Sequence, residues 1–135
     1  MSTFSFIDKI SEVEKDQNIT AFFTLRGDEE FLQDHFEGFP VMPGVLLLES
    51  LRQAASLLLS GWEKSEVSEF RLEEIQEAKF GQFVKPGSRL RVSVRLVRNE
   101  GRRSFFDGRM ELMGEHQVPL GRALTASFSL VPARN

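Results

Sequence analysis

Between Gly44 and Ser60 the chain reads GVLLLESLRQAASLLLS, and that stretch limits the folds open to it. Val45, Leu46, Leu47, Leu48, Leu51, Ala54, Ala55, Leu57, Leu58 and Leu59 recur around almost the whole circumference of a helix. A helix apolar on nearly every side must be enclosed rather than laid on a surface. Pro43 at the first turn has no N–H to waste there, and Gly61 supplies a C′ stop. At about 100° per residue, Glu49, Arg52, Gln53, Ser56 and Ser60 fall into one narrow polar stripe. The helix therefore sits inside something, with a single wet or hydrogen-bonded seam.

The rest of the chain reads as strands. Phe4 to Val13 and Ile19 to Leu25 flank the turn EKDQN and predict a hairpin. Glu29 to Gln33 reads as one short helical turn, and Trp62 to Glu69 as a polar surface connection. Phe70 to Phe83 is extended and closes in the turn Lys85-Pro86-Gly87. Leu90, Val92, Val94 and Leu96 alternate with Arg89, Arg91, Ser93 and Arg95, a strand with one buried face. Ser104 to Met113 and Arg122 to Val131 complete the set, separated by turns near Gly101 and Gly114. The prediction is an α+β fold in which five or six antiparallel strands curl around one long helix. Such a sheet keeps an open edge, and pairing two edges across a twofold axis predicts a homodimer.

A chain of 135 residues is read as one domain, 1–135. It has no cysteine, so disulfides and thiolate metal sites are excluded. No run approaches the roughly 20 apolar residues of a membrane-spanning helix, and MSTFSFIDKI lacks the basic and long apolar regions of a secretory signal. A cytoplasmic protein without membrane insertion is the expectation. A net charge of −3 argues against general nucleic-acid binding. The arginines are nevertheless crowded: Arg89, Arg91, Arg95, Arg102 and Arg103 lie close together in sequence, either as the solvent face of a strand or as a docking surface for an acidic partner.

The stretch HFEGFPVMPGVLLLESLRQ, from His35 to Gln53, holds the candidate chemistry. On position alone, His35 is a turn-capping histidine or a base. Glu49 is a buried carboxylate paired with Arg52, or an acid whose pKa its apolar neighbours raise. Gly44 is a site of close backbone approach, or the donor of an N–H at a helix N-terminus where negative charge is favoured. Gln53, one turn beyond Glu49, orients that carboxylate or bonds structurally. Phe39, Val41, Met42, Phe80 and Phe83 are core residues or the walls of an apolar substrate site. His116 reads as a surface residue. Two histidines and no cysteine give little support to a metal site, and no cofactor is expected.

This stretch resembles the signature of the 3-hydroxyacyl-acyl-carrier-protein dehydratases of fatty-acid synthesis, the FabZ/FabA type with the hotdog fold. FIDKI, EEFLQDHF and EAKFGQFVKPGSRLRVSV occur in the order that family shows, so the resemblance runs nearly the length of the chain. It implies dehydration of (3R)-3-hydroxyacyl thioesters on acyl-carrier protein, with His35 as base, Glu49 as acid and Gly44 N–H on the thioester oxygen. It also implies that Phe39, Val41, Met42, Gln53, Phe80 and Phe83 meet the substrate, and that His35 faces Glu49 of a partner chain in a dimer or a trimer of dimers. A hotdog thioesterase and a non-catalytic acyl-binding or assembly subunit are the competing readings. The chain departs from the family at Asp34, where glycine is common, in having no tyrosine, and at Arg52, where a small apolar residue is usual. Arg52 either pairs with Glu49 at i,i+3 and lowers its pKa, or carries its guanidinium away to the surface or a substrate phosphate. In the first case Arg52→Ala is expected to move the alkaline limb of the pH–rate profile upward.

Overall fold

The computed structural model describes residues 5–26, 41–60 and 70–133. The expected helical turn at Glu29 to Gln33, the connection Trp62 to Glu69, and His35, Phe39 and Asp34 lie outside the described residues. The elements are β1 (Lys9–Glu14), β2 (Asn18–Thr24), α1 (Gly44–Ser60), β3 (Phe70–Phe80), β4 (Arg89–Glu100), β5 (Arg103–Met113) and β6 (Pro119–Pro132), with a short 3₁₀ turn at Glu115–Gln117. The strands form one antiparallel sheet in the order β1-β2-β4-β5-β6-β3. Its edges are β1 and β3. Among the described residues no helix is long and apolar enough to cross a membrane.

Side-chain alternation decides which sheet face meets α1. Ile19, Ala21 and Phe23 of β2, Leu90, Val92 and Val94 of β4, and Leu124, Ala126, Phe128 and Leu130 of β6 are buried against the helix. Gly108 on β5 lets the two layers meet: a Cβ there would stand 2.9 Å from Leu51 Cδ2 and 3.2 Å from the Phe128 ring. Phe106 and Phe128 stack beside that contact with centroids 5.5 Å apart. The opposite face of β4 carries the arginines, as its alternation predicts.

Several boundaries differ from the sequence reading: β6 begins at Pro119, not Arg122, β4 runs on to Glu100, not Leu96, and two others have a local cause. β1 begins at Lys9, not Phe4, because the main chain of Phe6 bonds to the helix: its N–H donates to Gln53 Oε1 at 2.8 Å and its carbonyl accepts from Ser50 Oγ at 3.1 Å. β3 ends at Phe80, not Phe83, because Gly81 and Gln82 donate to the carbonyls of Ala123 and Arg122, both at 2.8 Å, and the chain then crosses to pair Val84 O with Met42 N–H. The helix keeps its expected bounds. Val45, however, is exposed, and the polar stripe is dry at Arg52, Gln53 and Ser56, which are buried.

Candidate functional site

Glu49 sits on the second turn of α1, with a quarter of its side chain exposed. Arg52, one turn on, grips it as a fork: Nε donates to Oε1 at 2.8 Å and Nη2 to Oε2 at 2.7 Å. Gln53 Nε2 adds a third donor to Oε2 at 3.0 Å. Arg52 also donates through Nη1 to the Phe70 carbonyl at 2.6 Å, where β3 begins. The side chain does not carry its charge to the surface. Burial is the largest single influence on Glu49 and pushes its pKa up, but the bonds from Arg52 and Gln53 and the Arg52 charge together carry it below the ordinary carboxylate value. This reverses the expectation that apolar neighbours keep a proton on Glu49: three donors, two of them on one fixed cation, outweigh the desolvation of a carboxylate that keeps a quarter of its side chain exposed.

An apolar cleft of about 490 Å³ opens at the N-terminal end of α1, between the helix start and the segment that follows β3. Val41, Met42, Phe80 and Phe83, singled out in the sequence, line it with Gly44 and Leu47. Phe83 and Phe80 stand at its mouth, 70% and 53% exposed, a surface that an apolar ligand would cover. Gly44 is tight as well as terminal: a Cβ there would stand 2.8 Å from the Phe80 ring. Gln82, Val84 and Ala123 also line the cleft and were missed in the sequence. Val84 and Ala123 look like ordinary core there, and Gln82 acquires its place only through the bond its N–H makes to β6. Gln53 is fully buried and does not line the cleft; it holds Glu49 and Phe6 together.

Glu49 and the cleft do not share a helix face. Gly44 and Leu47 line the cleft, and at 100° per residue Glu49 lies about 140° and 160° around the axis from them. Arg52 and Phe70 place the carboxylate toward the β3 edge instead.

The arginines of β4 and β5 are spread along the sheet and mostly engaged. Arg91 pairs with Glu111 at 2.6 Å, Arg95 with Asp107 at 2.8 Å, Arg103 with Glu73 at 2.8 Å, and Arg98 with Glu100. Arg89 lies over the Phe22 ring. A strand of 12 residues spans about 40 Å, so Arg89 and the pair Arg102 and Arg103 mark opposite ends of the sheet. A shallow hollow of about 580 Å³ on this outer face is walled by polar groups, with Arg95 and Ser127 both bonded to Asp107. It offers an acyl group nothing comparable to the cleft.

A sequence profile described as the FabA-like domain matches residues 1–118. The chain is 42% identical over 93 residues to the 3-hydroxyacyl-[acyl-carrier-protein] dehydratase FabZ of Levilactobacillus brevis, covering 69% of this chain and 63% of that protein. It is 34% identical over 98 residues to the FabZ of Oceanobacillus iheyensis, covering 73% of this chain and 70% of that one. The chain thus spans about 63% of the length of the first of these relatives. The solved structure of the dehydratase heterocomplex ApeI:P from Xenorhabdus doucetiae superposes with a TM-score of 0.71 at 18% identity, over 94% of this chain and 82% of that one. That likeness shows the fold, a curved antiparallel sheet around a central helix, which is the hotdog arrangement. With the profile match over most of its length, the chain belongs to the FabA-like domain family.

Proposed function

We propose that this chain removes water from (3R)-3-hydroxyacyl thioesters carried on acyl-carrier protein, giving trans-2-enoyl thioesters for fatty-acid or related lipid synthesis in the cytoplasm. The observation that carries the reading is the presence, on one helix, of an apolar cleft at its start and an oriented carboxylate on another face. The acyl chain fills the cleft between Met42 and Phe83. The thioester oxygen meets the N–H of Gly44, at the N-terminus of a helix of 17 residues whose first turn holds no acidic side chain to compete for it. His35 takes the C2 proton and Glu49 meets the 3-hydroxyl. Because cleft and carboxylate occupy different helix faces, one complete site draws its cleft and histidine from one protomer and Glu49 from its partner, in a homodimer or a trimer of dimers. Those of Arg89, Arg91, Arg95, Arg102 and Arg103 that flank the cleft mouth in the assembly receive the acidic carrier.

The test is to mix the protein with crotonyl and 3-hydroxybutyryl thioesters, on acyl-carrier protein and on a small thiol, and to follow enoyl absorbance and free thiol together. Interconversion of the two thioesters without thiol release is the expected result. Thiol release would make the chain a thioesterase. Binding without turnover would make it a non-catalytic acyl-binding subunit.

A further inference from the structure

We propose that Arg52 is a positioning residue that fixes Glu49 as an oriented anion, so that the carboxylate meets the substrate hydroxyl as a hydrogen-bond acceptor and not as a resting proton donor. The inference rests on the dehydration reading and deepens it.

The bond order around Glu49 is set by groups that leave no choice. A guanidinium can only donate, and it donates to both carboxylate oxygens. The Gln53 amide accepts the Phe6 N–H through Oε1, which obliges its Nε2 to donate as well, and it donates to Oε2. Three donors therefore converge on two oxygens, two of them on a fixed cation that bonds to both, which favours the ionised carboxyl and leaves one of its four acceptor sites, on Oε1, open. The fork is itself anchored, because Nη1 is held by the Phe70 carbonyl and the arginine is about nine-tenths buried. Among the described residues Arg52 is the charged group that acts on Glu49; from β3 the neighbouring group is a backbone carbonyl, which has no charge to titrate.

An acceptor in this position changes where the protons go. The base removes the C2 proton, the C–H electron pair becomes the new π bond, and the C3–O pair leaves on oxygen. That oxygen takes its proton from the conjugate acid of the base. Water departs, the base is regenerated, and Glu49 ends as it began, having held the hydroxyl in line through its remaining lone pair.

The experiment is a titration of ¹³C-labelled glutamate followed by NMR in the full chain, with the Glu49 resonance assigned through Glu49→Gln, in the wild type, Arg52→Ala and Arg52→Lys. Glu49 should titrate below the ordinary value of 4.5 in the wild type and above it in Arg52→Ala, where the Gln53 bond alone opposes the larger effect of burial. Arg52→Lys keeps the charge but not the fork and should fall between them. A wild-type Glu49 that titrates above the ordinary value overturns the proposal without any variant, and so does an Arg52→Ala protein with an unmoved resonance. Kinetics form the second arm. If Glu49 works as an anion, the ionisation that Arg52→Ala raises adds a loss of kcat/KM on the acidic side of the profile, beside that of the base His35; an alkaline limb that moves instead means that Glu49 gives a proton, and overturns the proposal. A chain whose titrations obey these expectations but which forms no enoyl thioester retains the ion-pair role of Arg52 and loses the dehydratase reading.

Discussion

Replacing Gly81 by alanine should loosen the wall of the cleft, by an amount the structure sets. A Cβ at residue 81 would stand 2.1 Å from the Arg122 carbonyl oxygen and 3.1 Å from its carbon. Both are backbone atoms of β6, in the sheet interior, and cannot swing aside as a side-chain tip does. Relief requires the two segments to separate by about 1 Å, which stretches hydrogen bonds now at 2.8 Å well past the useful range. Two backbone bonds at about 0.5–1.5 kcal/mol each, added to overpacking of about 1–3 kcal/mol, give a loss of roughly 2–6 kcal/mol if the whole fold resists. Peeling residues 81 and 82 from β6, with the buried Val84 kept in place, loses only the hydrogen-bond part, about 1–3 kcal/mol, so the local route wins. Urea unfolding should show a loss nearer the smaller figure, and hydrogen exchange should show the Gly81 and Gln82 amides losing protection while the β4 and β5 amides keep theirs. Gly87→Ala is the control: it has a φ of +91° but nothing within 4 Å of its Cβ, so it tests backbone strain without collision. A Gly81→Ala protein within about 0.5 kcal/mol of wild type, with both amides still protected, would refute the steric argument.

His35→Ala and Glu49→Gln should each lower enoyl turnover by about 10²–10⁴-fold with the circular dichroism spectrum intact, and mixing the two inactive proteins under conditions of subunit exchange should restore part of the activity. Failure to restore it would place both residues of a site in one chain. Leu51→Ala should cost about 3–5 kcal/mol in denaturant unfolding, because Leu51 is fully buried over Gly108 and the stacked phenylalanines leave little room to collapse. Glu49 has its folded pKa lowered, so its contribution to stability is present above the unfolded value near 4.5 and is lost as pH falls through the folded one; acid unfolding of Glu49→Gln should accordingly be less steep than that of wild type over that range. Charge reversal at Arg89 should raise KM for carrier-linked substrate and leave a small thioester mimic unaffected, whereas Arg91 reversal should also destabilise the fold through Glu111.

The helix was legible from its composition because an apolar surface on every side has one physical outcome, and β4 because Arg89 to Leu96 alternates without a break. Strand ends were not legible where the main chain bonds to something other than a strand. Phe6 looks like a strand residue, yet the side chains of Gln53 and Ser50 engage its backbone from 47 and 44 residues away. The site divides the same way. The identity of Glu49 as the odd carboxylate on an apolar helix is local information, and so is the i,i+3 reach of Arg52. The direction of its pKa is not, since it depends on whether the arginine turns inward, and a carbonyl at the start of β3 holds it there. The arginines of β4 could be counted in the sequence, but not their acidic partners on β5, which only the register supplies.

The bond from the Phe6 N–H to Gln53 makes the N-terminal segment a determinant of amide orientation. An amide has one end that donates and one that accepts, and the backbone donor at Phe6 selects which end faces Glu49. Were that donor pulled away, as by proteolysis just after Phe6 or by a fusion that tugs on Ser5, the amide would be free to turn its oxygen toward the carboxylate. Two acceptors at about 3 Å would repel, so the carboxylate alone would be left to hold the amide's polarity, and its third donor would be held less firmly. Tag placement at this end of the chain is therefore a variable in any measurement on Glu49, while tags at the far end, beyond β6, leave that polarity alone.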